Sequence, residues 1–413
     1  MRPLGAIKSL CLIGAVLALN QQLFGQVVET IPGPILETRP ENGTPIAATA
    51  QTYSIFQHPR GLTLSLSANG GYDDNVNSAP GGGGGAAYTS ENASLSYTFG
   101  TPRTHVSLAT GGGIAYYSNN RSIDPNLYLD LSLSHSFSRR MTLSLSIFAS
   151  YQSQTDVSTP LGSNQQLGNY LHTGDTISLE YSWFPRLSTV TSYTFGLLKY
   201  DGSAASMLNR IENDFAETFQ FLLWPATSGT VEYSLGIISY ESAPMDSTTH
   251  SVLFGINHSF TPRLLASLNA GVELRFAEDT GFKPGPRFES DLTYILHHGS
   301  LIWASSYSIE EPDAPGATAR PSFRTGLTLN YGLTRRLSGS LALFYVHGGS
   351  QNGSSSSSTE DTFDIGPSFN CLITRHLSAN VGYHFSKVDS GSVGPVSGSY
   401  TKNSLFAGLN FSF

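Results

Sequence analysis

The sequence predicts an all-β protein: a transmembrane antiparallel up-and-down β-barrel of about 18 strands, with 16 as the alternative count. Three observations lead there. Apolar residues alternate with small polar ones, connections are short at one end and long at the other, and an amphipathic final strand ends on Phe413. Only 13% of residues are charged while glycine numbers 42, a balance that favours strands and turns over surface helices. Beyond the N-terminus no apolar run approaches the ~18 residues a spanning helix needs. A barrel passes that test with a mean hydropathy near neutral, here -0.10, because its two faces average out.

Taken in order, residues 1–25 place Arg2 and Lys8 before an apolar core from Leu10 to Leu19 and then the small residue Gly25, the pattern of a cleaved secretory signal. Cys11 leaves with it, so Cys371 has no partner for a disulfide or a cysteine metal site. Loss of Arg2 and Lys8 deepens an acidic balance that already stands at -8, which argues against nucleic acid as a partner. Residues 26–60 carry Pro32, Pro34, Pro40, Pro45 and Pro59 with no apolar period, and read as a flexible periplasmic lead-in. Residues 61–413 form one barrel domain.

Within that domain a strand, a tight turn, a second strand and a longer polar loop recur about every forty residues. The tight turns repeat one chemistry: TPR at Pro102 and Pro262, SRR at Arg139 and Arg140, PR at Pro185, TRR at Arg335, TRH at His376. With WPATSG at Trp224 and HHG at His297 they make eight turns, and nine longer loops complete eighteen strands with both termini in the periplasm. Leu127, Leu129, Leu131 and Leu133 share one face against Tyr128, Asp130, Ser132 and Ser134. Met141 to Ile147 and Ala266 to Val272 divide the same way. A soluble β-sandwich also alternates, but Tyr97, Phe99, Phe137, Tyr181, Trp183, Phe260, Tyr331 and Phe385 cluster at strand ends, where a barrel places its interfacial girdles. Leu405, Ala407, Leu409, Phe411 and Phe413 stand in one phase, resembling the C-terminal signal read by the barrel assembly machinery of the bacterial outer membrane.

The segment Gly71, Tyr72, Asp73, Asp74, Asn75 and Val76 resembles the opening signature of the putative β-barrel porin type 2 family. That resemblance implies an outer-membrane barrel from about Gly61 to Phe413, in a family some of whose members are encoded beside exopolysaccharide genes. Read physically, Asp73, Asp74 and Asn75 turn the chain out of the bilayer through side-chain-to-backbone hydrogen bonds.

No nucleophile elbow, HExxH, CxxC pair or phosphate loop is present, so no enzyme activity and no cofactor are expected. His297 and His298 are adjacent, which in a strand or turn directs their rings apart and disfavours joint metal ligation. Phase places Asp130, Glu180, Glu212, Asp214, Glu232, Glu273, Glu289, Asp291 and Asp364 inward with Arg275, Arg287 and Arg324, a mildly acidic wall among Ser, Thr, Asn and Gly. Glu217 shares the phase of Phe215, Phe219 and Phe221, which points a carboxylate at lipid unless a bulge intervenes. Arginines in the short turns, such as Arg103, Arg186 and Arg263, stand where inner-leaflet phosphates lie. The leading functional expectation is a passive channel for small hydrophilic solutes, since 16 to 18 strands leave an aqueous lumen. Exopolysaccharide export with a periplasmic partner, and a structural or adhesive surface barrel, stay open beside it.

Overall fold

The computed structural model describes residues 61–413 except 83, 120–122, 154–167, 203–204, 279–280, 312–318, 352–356 and 391–398. The expected signal and lead-in, residues 1–60, lie outside the described residues.

Eighteen strands form one closed antiparallel sheet. They are β1 (Gly61–Asp73), β2 (Ala86–Gly100), β3 (Thr104–Tyr117), β4 (Ile123–Ser138), β5 (Met141–Gln152), β6 (Tyr170–Phe184), β7 (Leu187–Tyr200), β8 (Arg210–Trp224) and β9 (Thr227–Tyr240). The second half comprises β10 (Ser247–Thr261), β11 (Leu264–Ala277), β12 (Gly281–Leu296), β13 (Gly299–Glu310), β14 (Arg320–Gly332), β15 (Leu337–Gln351), β16 (Ser357–Leu372), β17 (Leu377–Ser390) and β18 (Tyr400–Ser412). Each strand pairs with its neighbours in sequence, and β1 with β18 closes the ring. Closure leaves no free edge, which is what a sheet in hydrocarbon requires.

The alternation seen in the sequence becomes the two faces of this wall. In β1, Leu62, Leu64 and Leu66 are exposed while Thr63, Ser65 and Ser67 turn inward. The repeated turns have a local cause. Thr101 Oγ1 accepts from the backbone N–H of Thr104 at 3.0 Å, and the hydroxyls of Thr261, Thr334 and Thr374 accept from Leu264, Leu337 and Leu377 in the same way. A Thr at the end of one strand therefore captures the donor that starts the next. Register shifts sit just above four of the turns, at Ser136/Ser138, Ser182/Phe184, Leu222/Trp224 and Ser259/Thr261.

At the closing seam, Leu64 and Phe413 exchange backbone hydrogen bonds of 3.1 and 2.9 Å on the turn side. On the loop side the Asp73-Asp74-Asn75 segment makes the join. Asn75 N–H donates to Asp73 Oδ1 at 2.9 Å, the local turn expected of these residues. Asp74 accepts from both the backbone N–H and the side-chain amide of Asn403, each at 2.6 Å, and Asn75 Nδ2 donates to the Thr401 carbonyl at 3.0 Å. The segment thus turns the chain and also clamps the first strand to the last.

Two expectations are corrected. The connection between β11 and β12 spans only residues 278–280, because β12 continues as a strand through Lys283 and Pro284 instead of opening into a long loop. Pro284 and Pro286 have no N–H to offer, and pairing with β13 stops at Phe288 and Tyr307. The rings of His297 and His298 do not diverge: they meet edge to face at 4.4 Å, because these residues occupy the turn, where strand alternation no longer applies.

Candidate functional site

The inward face of the barrel gathers nearly all the chain's mid-strand charge. The twelve acidic and basic residues expected inward stand in the polar phase of β4, β6, β8, β9, β11, β12, β14 and β16. The structure adds others in the same phase: Asp73, Arg210, Lys283, Glu310, Arg320, Glu360 and Lys402. Most lie close to strand ends, where short alternation gave no firm phase. Glu311, just past β13, joins them through its contacts.

In the half of the interior nearest the loops, most of the inward cations are paired with carboxylates. Arg324 grips Glu310 through two nitrogens, Nη2 at 2.9 Å from Oε2, and both residues are buried. Arg275 holds Glu311, which also accepts from the Tyr240 hydroxyl at 2.7 Å. Arg210 pairs with Glu212 and stands 6.0 Å above the Tyr240 ring. Arg287 meets Glu289 at 2.8 Å, Arg320 meets Glu360 at 3.1 Å, and Lys402 meets Asp73 at 3.1 Å. Glu273 accepts the backbone N–H of Ile309, where the β12–β13 ladder has ended. His384 Nε2 lies 2.7 Å from Asp364 Oδ2.

The half nearest the turns is different. Glu180 on β6, Glu232 on β9 and Asp291 on β12 face inward there, and among the described residues no inward Lys or Arg stands at that level. Their hydrogen-bond donors include hydroxyls: Thr218 to Glu232 at 2.9 Å and Ser267 to Asp291 at 3.1 Å. A hydroxyl satisfies a lone pair without cancelling the charge.

Below the Lys402–Asp73 pair, the wall around the closing seam is rich in amides. Asn380 donates to Asn69 at 3.1 Å across Gly408, and Asn69 to Ser90 at 3.4 Å. Phe344 and Phe406 also turn inward, each lying over a glycine of the next strand, Gly326 and Gly382, where a β-carbon would stand 2.6 and 2.4 Å from the ring. At the loop end, two small apolar clusters join wall to loop. Tyr170, Leu198 and Tyr200 pack with Ala205 and Leu208 of a single 3₁₀ turn, and Val76 packs with Ala86 and Tyr117. The loops over β1 to β3 and β6 to β8 are therefore folded against the inner side of the mouth.

The outward face is apolar in most places, including all five residues of the C-terminal phase, Leu405, Ala407, Leu409, Phe411 and Phe413, which are exposed. Carboxylates break it at several points, among them Glu217 and Asp175. Glu217 sits in unbroken register between Thr191 and Tyr233, so no bulge turns it away, and it is flanked by Phe215 and Phe219. Asp175 on β6 faces outward between Ile147 and Phe195, a residue that sequence reading missed although its phase matches Ile177 and Leu179. Among the described residues no group of three potential metal ligands is found.

The family described as putative beta-barrel porin 2 matches residues 62–413. The fold is similar to that of the outer-membrane protein OpdK of Pseudomonas aeruginosa, with 11% identity and a TM-score of 0.47 over 85% of this chain and 99% of that one. It is also similar to OccK5 (OpdH) of the same organism, at 10% identity and 0.45 over 86% and 98%, and to OccAB4 of Acinetobacter baumannii, at 10% and 0.43 over 86% and 98%. No curated protein matches the chain in sequence.

Proposed function

The chain belongs to that porin family and is a barrel of the bacterial outer membrane, and from this premise we propose that it is a passive channel for small hydrophilic solutes with a preference for cations. One observation carries the preference. Among the described inward-facing residues carboxylates outnumber Lys and Arg, and Glu180, Glu232 and Asp291 carry the acidic character into the half nearest the turns. A charge of one sign on a low-dielectric wall focuses potential into the passage and attracts counter-ions.

Purified protein added to a planar bilayer tests the channel itself. Stepwise conductance is expected, and insertion without conductance would remove the reading. The porin family and the barrel favour a channel over an enzyme.

A second reading, passage of a polysaccharide, has support in the amide wall of Asn69 and Asn380 and in the inward rings of Phe344 and Phe406, since amides bind hydroxyls and flat rings stack on sugars. Slowed single-channel current in neutral oligosaccharide would favour it, and currents unaffected by oligosaccharide would remove it. Either reading leaves the C-terminal strand, with Phe413 outward, as the segment offered to the assembly machinery. A periplasmic partner for residues 26–60 belongs to the second reading alone.

A further inference from the structure

Three of the short turns are approached by one repeated pattern. His135-Ser-Phe137, Tyr181-Ser-Trp183 and His258-Ser-Phe260 stand at the ends of β4, β6 and β10, and an arginine follows each aromatic at the third position: Arg140, Arg186 and Arg263. The ladder shifts register at Ser136/Ser138, Ser182/Phe184 and Ser259/Thr261, so Phe137, Trp183 and Phe260 are the extra residues of three bulges. All three are exposed, and each meets the ring two residues before it edge to face, at 4.7, 4.7 and 4.5 Å. Both histidines are pinned alike: Nδ1 of His135 lies 2.7 Å from Thr104 Oγ1, and Nδ1 of His258 lies 2.8 Å from Thr227 Oγ1. The hydroxyls of Ser138 and Thr261 accept the backbone N–H of Arg140 and Arg263 at 3.1 and 3.2 Å. The fourth bulge, at Leu223, has neither the ring pair nor an arginine after it.

These arginines differ from those of the lumen. Arg275, Arg287 and Arg324 are each held by a carboxylate, whereas Arg140, Arg186 and Arg263 are exposed and, among the described residues, form no ion pair. No Asp or Glu stands in any of the short turns. Each arginine lies within about 10 Å of chain from an outward aromatic of the girdle, which sets it at the level of lipid headgroups on the periplasmic side. We propose that each of these three turns binds the phosphate of a phospholipid in the inner leaflet. The guanidinium offers a fork of donors to two phosphate oxygens. The ring that opens the triplet offers one more. It is the Tyr181 hydroxyl, or Nε2 of His135 and His258, which carries the proton when the threonine hydroxyl donates to Nδ1. The bulged aromatic gives the neighbouring acyl chain a flat apolar surface. A free anion uses only the donors, so the exposed aromatic is what selects a lipid. A charge shared by most of the turns is thereby narrowed to three built sites, whatever crosses the lumen.

Native mass spectrometry of the full chain in detergent, titrated with phosphatidylglycerol, tests it. Bound lipid is expected, with diacylglycerol of the same chains and inorganic phosphate binding far more weakly. The triple variant Arg140→Gln, Arg186→Gln and Arg263→Gln is expected to lose about tenfold in apparent affinity, the factor for one charged hydrogen bond per site. A second variant, Arg335→Gln, Arg336→Gln and Arg375→Gln, removes the same charge from turns with no register shift beside them and is expected to bind as the parent does. All six side chains are exposed, so both variants keep the folded barrel, which circular dichroism checks. Absence of bound lipid, equal losses in the two variants, an unaltered affinity in the first, or inorganic phosphate binding as tightly as the lipid would each overturn the proposal.

Discussion

The loop-side and turn-side halves of the barrel interior use the same residue types to opposite ends. Near the loops, Arg324 with Glu310, Arg287 with Glu289 and Arg320 with Glu360 pair charge against charge within the wall. Near the turns, Glu232 and Asp291 accept from the hydroxyls of Thr218 and Ser267, and Glu180 faces inward from the same half. A buried ion pair offsets its own desolvation cost and shows a solute little net field. A carboxylate met by hydroxyls does the reverse. The difference teaches that inward charge divides into charge that holds the wall together and charge that a passing ion senses, and the two are separable by mutation.

The largest effect is expected from breaking a loop-side pair. Arg324→Ala leaves the Glu310 carboxylate buried without its guanidinium, which costs on the order of 3–5 kcal/mol. Urea titration of the folded barrel in detergent should show it, while ion preference changes little. A loss below about 1 kcal/mol would place the pair in effectively open solvent and erase the contrast.

Neutralising the turn-side tier should do the opposite. The triple variant Glu180→Gln, Glu232→Gln and Asp291→Asn is expected to bring the cation-to-anion permeability ratio down to near unity, with stability within roughly 0.5 kcal/mol of the parent per site. Reversal potentials and the same urea titration read both quantities. An unchanged ratio would move the selective charge elsewhere.

Salt sharpens the contrast without mutation. Raising ionic strength from 0.1 to 1 M shortens the Debye length from about 10 to about 3 Å, so the ratio of the unmodified protein should fall. The paired half, screened mainly by its own partners, should show little change in urea midpoint.

The smallest effect is expected at the rim below both halves. Thr334→Ala removes the hydroxyl that accepts from Arg336 and Leu337 at 3.2 and 3.0 Å. An exposed turn of this kind contributes about 1 kcal/mol or less, readable as a small shift in urea midpoint with selectivity intact.

Sequence periodicity sufficed for the fold because each strand must satisfy lipid on one face, and a period of two then assigns every residue between. That reasoning placed Glu180, Glu232 and Asp291 in the polar phase beside Ser178, Thr218 and Ser267. It failed where alternation ends. Arg210, Arg320 and Lys402 lie within the first three residues of their strands, beside stretches rich in Gly, Ser and Pro, and only the ladder shows that they continue it. The partners of the arginines were equally hidden, since Arg275 and Glu311, or Arg320 and Glu360, meet across loops or intervening strands. Glu217 was visible as a violation of its strand's pattern, whereas Asp175, next to Thr173 on the same face, looked like an ordinary polar interruption.

The most direct test of the account is the reversal potential of the unmodified protein in a planar bilayer under a tenfold potassium chloride gradient at low salt. The account predicts a potential of the sign set by potassium, diminishing in the triple variant and preserved in a folded loop-side variant such as Arg287→Gln. A potential of the sign set by chloride would contradict it.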